Sequence, residues 1–97
     1  MIKVNIHKQV GPSAKKISYS WEGRILKSII SPQNIIETFD FSALSPGDEV
    51  FEIETENISF SPLICAKVLE DNTLIVDLIF WVDSFYEEIP ESIILEE

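Results

Sequence analysis

The chain has 97 residues, 45% apolar and 25% charged, with a formal net charge of −10; that is material for one core, which argues against two domains and against wholesale disorder. The charge is divided, because residues 1–36 hold six bases and one acid (+5) whereas residues 37–97 hold sixteen acids and one base, Lys67 (−15). An acidic whole repels phosphate backbones, and no run approaches the ~18 uninterrupted apolar residues of a membrane helix, so neither nucleic acid nor membrane is expected as a partner.

Residues 2–7 alternate, with Ile2, Val4 and Ile6 on one side and Lys3, Asn5 and His7 on the other, the period of a strand with one wet face. That stretch has no continuous apolar h-region, so no signal peptide is expected and synthesis in the cytoplasm is the default. Ile17, Tyr19 and Trp21 alternate with Ser18, Ser20 and Glu22. Glu22-Gly23 then reads as a tight hairpin turn before Arg24-Ile25-Leu26, so a three-stranded meander is expected over the first forty residues. Ser31-Pro32 has an N-cap residue followed by the residue favoured at the first helical position, which predicts a helical turn through Ile36.

Thr38-Phe39-Asp40-Phe41 returns to alternation, and Pro46-Gly47 has the residues of a type II turn. Phe51-Glu52-Ile53-Glu54-Thr55-Glu56 alternates almost without fault between outward acids and apolar residues and predicts a strand. From Leu63 to Val82 the apolar runs are nearly continuous on both sides of Glu70-Asp71-Asn72-Thr73, so this hairpin is expected in the middle of the fold, buried on both faces. A two- or four-residue loop would set Lys67 opposite Val76 and Asp77 opposite Ala66, with the two charges facing opposite sides and each needing its own polar partner. The tail from Asp83 is expected to end in an extended segment that docks Ile93-Ile94-Leu95; a short helix capped by Asp83 is the alternative. Together these predict one mainly β domain over residues 1–97: an antiparallel meander forming a small sandwich or open barrel, with at most one or two short helical turns.

Chemistry is sparse. Nucleophilic catalysis needs a nucleophile beside a base, yet His7, the only histidine, lies on the polar face of the first strand with no sequence tie to Cys65. Cys65 sits in the apolar run Leu63-Ile64-Cys65-Ala66 and reads as a core residue, with no second cysteine for a disulfide. One histidine and one cysteine are too few for a zinc site. Glu52, Glu54 and Glu56 would project from one strand face about 6.5–7 Å apart, but no oxygen-rich D-x-[DN]-x-[DN]-G loop accompanies them. Three isolated glycines form no phosphate cradle. Lys8, Lys15, Lys16, Arg24 and Lys27 surround Tyr19 and Trp21 like a nucleic-acid patch, but those rings share the inward parity of Ile17. No enzyme activity, cofactor, metal or small-molecule substrate is expected.

Two stretches, Glu37-Thr38-Phe39-Asp40-Phe41-Ser42-Ala43-Leu44-Ser45-Pro46-Gly47-Asp48-Glu49 and the hairpin from Val68 to Leu78, resemble small phage and prophage proteins. Those proteins carry a D-F-S-x-L-x-x-G-D/E segment, an isoleucine-rich strand, a hairpin and an acidic, proline-containing end. The resemblance spans residues 37–92, with Asp71-Asn72 where that pattern more often has Asp-Gly. It implies a prophage or mobile-element origin and a tail or virion accessory role, and it carries over no functional residues.

The expected function is that of a structural or accessory protein acting through contacts with copies of itself or with neighbouring proteins, cytoplasmic at synthesis and open to incorporation in a virion. Glu52, Glu54, Glu56, Glu87 and Glu88 are the acidic surface expected to face a partner. The alternative is an acidic binding module that blocks a basic, nucleic-acid-binding host protein.

Overall fold

The computed structural model describes residues 1–11, 15–51, 55–57, 61–82 and 88–96. Eight strands form among them: β1 (Ile2–Val10), β2 (Lys16–Glu22), β3 (Ile25–Ser31), β4 (Ile35–Asp40), β5 (Glu49–Val50), β6 (Leu63–Val68), β7 (Leu74–Val82) and β8 (Ser92–Leu95). They make a five-stranded sheet in the order β5-β6-β7-β1-β8 and a three-stranded sheet, β2-β3-β4. The mainly β class is as the alternation predicts, in two sheets that do not close into a barrel.

The core lies between the sheets. Ile2 and Val4 of β1, Leu63, Ala66 and Val68 of β6 and Leu74, Val76 and Leu78 of β7 meet Leu26 of β3, Phe39 of β4 and Phe41. β7 occupies the centre of the larger sheet, as expected, but the hairpin is buried on one face only: Leu74, Val76 and Leu78 face the core, Ile75, Asp77 and Ile79 are half-buried on the outer face, and Ile64 and Lys67 of β6 are exposed there. One ring pair bridges the layers, Tyr19 of β2 with Phe80 of β7 at 5.1 Å between centroids, and a second, Trp21 with Phe41 at 6.1 Å, packs within the smaller sheet's side of the core. Pairs of this kind contribute about 0.5–1.5 kcal/mol beyond the area they bury.

Turns follow local chemistry. Gly23 (φ 58) and Arg24 close the β2–β3 hairpin, and Gly47 (φ 92) with the Asp48 N–H to Ser45 carbonyl bond of 2.9 Å completes the turn expected at Pro46-Gly47. The helical turn expected from Ser31 is replaced by a reverse turn. Asn34 takes φ 56, and Ile35 already pairs with Ile30 in a hairpin.

The three-stranded meander exists but is shifted along the chain. It comprises β2, β3 and β4, while β1 leaves for the larger sheet and runs parallel to β7, with Val4 beside Val76. Parallel pairing requires a long crossover, and the intervening strands supply it. The expected strand from Phe51 to Glu56 falls largely on residues outside those described; Phe51 and residues 55–57 are not in a strand. The tail ends in an extended segment as expected, β8 pairing antiparallel with β1 so that Leu95 lies opposite Ile2, but Ile93 and Ile94 stay exposed and only Leu95 is half-buried; residues 83–87, where the alternative helix would start, lie outside those described.

In the β6–β7 hairpin the expected register is off by one. Lys67 pairs with Ile75 and Cys65 with Asp77, so Lys67 and Asp77 share the outer face. The loop is three residues, Glu70-Asp71-Asn72: the Asn72 N–H bonds the Leu69 carbonyl, the Leu69 N–H bonds the Thr73 carbonyl, and Asn72 takes φ 69. Such a turn, ended by a left-handed residue, gives the odd loop length that shifts every pair by one.

Candidate functional site

β7 runs between β6 and β1, so an outward residue at its middle can reach side chains on both neighbours. Asp77 holds that place, with Asn5 paired to it from β1 and Cys65 from β6. Its Oδ1 accepts a hydrogen bond from His7 Nε2 at 2.8 Å, its Oδ2 accepts one from Cys65 Sγ at 3.1 Å, and the Asn5 side chain bonds the same carboxylate. Burial pushes the Asp77 carboxyl upward, but the three hydrogen bonds outweigh it and hold the group below its ordinary value. The thiol moves the other way, because burial first, and then the hydrogen bond and charge of Asp77, push Cys65 up to about 11.

A thiol so held stays protonated at neutral pH and acts as a donor, whereas nucleophilic chemistry needs the thiolate. The cluster is suited to tying β1, β7 and β6 together across the outer face. Cys65 is therefore half-buried on that face and does not join the core, contrary to the reading of its apolar neighbours. A bulge between Leu63 and Cys65 is the cause, since it breaks the strand's alternation and lets Leu63 and Ala66 both face inward.

Beside the cluster an open groove of about 860 Å³ runs between Lys3, His7 and Lys8 of β1 and Glu88 and Glu91 of the segment entering β8. The Ile6 N–H bonds the Glu91 carbonyl at 2.9 Å and fixes that segment. The 88–91 segment thus lies against the basic first strand. Of the five acids expected to face a partner, Glu88 is exposed on this groove and Glu56 is exposed beside the smaller sheet. Glu52, Glu54 and Glu87 lie outside the described residues.

Glu37, unremarked in the sequence, is buried in β4. Its Oε1 accepts the backbone N–H groups of Glu56 and Asn57, both at 2.8 Å, and Asn57 Nδ2 donates to the Ile36 carbonyl at 2.9 Å. Across the strands from it, the Ser28 hydroxyl is fully buried with no hydrogen-bond partner among the described residues. An apolar cleft of about 410 Å³ lies between the sheets, flanked by Ile17, Tyr19 and Trp21 of β2 and by Phe80, Ile93 and Leu95. Tyr19 is fixed there by a 2.5 Å bond from its hydroxyl to the Ile79 carbonyl, and burial pushes its phenol well above the ordinary value.

The convergence of His7, Asn5 and Cys65 on Asp77 is not legible in the sequence. Its one signal was a carboxylate inside an apolar run, which had to find polar partners. Among the described residues no three histidine, cysteine or acidic side chains are placed to hold a metal ion, and no helix is long and apolar enough to cross a membrane. The architecture is a two-sheet, mainly β domain with a mixed five-stranded layer. Comparison with protein families, curated proteins and solved structures finds no match to the chain.

Proposed function

We propose that this is a non-catalytic structural or accessory protein of phage or prophage type, made in the cytoplasm and acting through protein–protein contacts that include self-association. The observation that supports it most is that both ends of the larger sheet carry exposed apolar side chains. Phe51, following β5, is 68% exposed and Ile94 of β8 is 58% exposed. Exposed apolar groups at sheet ends are what a protein neighbour covers.

The acidic-inhibitor reading ranks second, because part of the acidic excess lies near bases within the fold: Glu49 stands opposite Lys67 in the β5–β6 register, and Glu88 and Glu91 share a groove with Lys3 and Lys8. Size-exclusion chromatography with light scattering at low and high salt tests the proposal. A salt-resistant oligomer is expected, and a monomer at every concentration would count against self-association. Retention of a basic nucleic-acid-binding protein, with no oligomer, would favour the second reading.

A further inference from the structure

Among the described residues the topology leaves four strand edges, β5 and β8 on the larger sheet and β2 and β4 on the smaller. They are not equivalent. β5 is only two residues long. β8 has four residues between Glu91 and Glu96, so pairing it in full with its own copy would set these acids against each other. Beside β4 lies the 56–57 segment, bonded through Glu37 and Ile36. β2 is seven residues long, and its middle, Ile17-Ser18-Tyr19-Ser20-Trp21, has no charge, proline or glycine to discourage pairing.

We propose that β2 pairs antiparallel with β2 of a second copy about a twofold axis at Tyr19, joining the two smaller sheets into one. The strand's own sequence specifies that register. Ile17, Tyr19 and Trp21 face inward and Ser18, Ser20 and Glu22 outward, so only a register that keeps parity leaves the apolar residues on the core side. Centring on Tyr19 keeps parity and uses the whole strand. It sets Lys16 opposite the partner's Glu22 at both ends, Ile17 opposite the partner's Trp21, and Ser18 opposite the partner's Ser20. A slide of two positions either way shortens the ladder and separates Lys16 from the partner's Glu22. Opposite charges facing across strands stabilise the pair, and a twofold interface repeats each gain. The apolar cleft behind β2 lies under this edge, so the second strand also brings apolar side chains to its mouth.

This pairing rests on the self-association proposed above, and charge reversal separates the two. Lys16 and Glu22 are exposed, so K16E, E22K and the double variant K16E/E22K are expected to fold, which thermal melting checks. Sedimentation equilibrium at low salt should show a wild-type dimer. Each single variant sets like charges opposite at both ends and should weaken it about tenfold, while the double variant restores opposite charges and should recover affinity to within about twofold. High salt should shrink these differences. Amides of Ile17, Tyr19 and Trp21, which point away from β3 to the open edge, should gain exchange protection as concentration rises. An oligomer whose dissociation constant ignores all three variants would overturn the β2 pairing and leave self-association standing; a monomer throughout would overturn both.

Discussion

Asp77 is the residue on which the outer face of the larger sheet depends, since one carboxylate receives His7, Cys65 and Asn5. Asp77→Asn should cost about 1–2 kcal/mol in urea unfolding at neutral pH, the scale of hydrogen bonds to a charged acceptor that is partly open to water. The sign with pH follows from linkage. The folded carboxyl titrates below its unfolded value, so its contribution is present above the unfolded value and is lost as pH falls through the folded one. The difference between wild type and Asp77→Asn should therefore shrink on acidification below about pH 4, and a difference that grew would contradict the assignment. The thiol gives an independent reading: removing the charge that helps raise Cys65 should make alkylation at neutral pH faster in Asp77→Asn. Gly11 is a matter of space, because a Cβ there would lie 2.5 Å from Trp81 Cγ. Gly11→Ala should cost about 1–3 kcal/mol, measured as a lowered melting temperature; an unchanged one would mean that the indole moves freely.

Among the elements, those set by local pattern were legible and those set by partners were not. The inward parity of Ile17, Tyr19 and Trp21 and the positive φ of Gly23 and Gly47 could be read from the residues alone. The pairing of β1 with β7 could not, because alternation states which face is buried and says nothing of the neighbour. Ser31-Pro32 carries helix-start residues, but the β-branched Ile35 and Ile36 pair with Ile30 and Ile29 and the strand prevails. The β6–β7 register turned on one residue of loop length, and the face of Cys65 on one bulge. Of the acids expected to form a surface, Glu56 proved to be held through its backbone by Glu37, an interaction that only tertiary approach reveals. Asn72 is where the hairpin can be tested. At φ 69, Asn72→Gly should leave stability unchanged or slightly raised, whereas Asn72→Val should lower it by about 1–2 kcal/mol in thermal unfolding. Equal effects would show that the left-handed position does not set the loop.

At the scale of the whole molecule, the division of charge is partly answered within the fold. β8 lies along β1, and the Glu88–Glu91 segment faces Lys3 and Lys8 across a groove. A net charge of −10 still makes two copies repel at low salt, so an association that survives must draw on backbone pairing and apolar contact. Salt then has two opposed effects, screening the general repulsion while weakening any specific cross-strand ion pair. The most direct measurement is the mass of the native chain in solution, by light scattering over a range of concentrations at low and high salt. An oligomer that forms with rising concentration and persists at high salt is the expected result; a single monomeric mass under every condition would contradict an assembly role built on self-association.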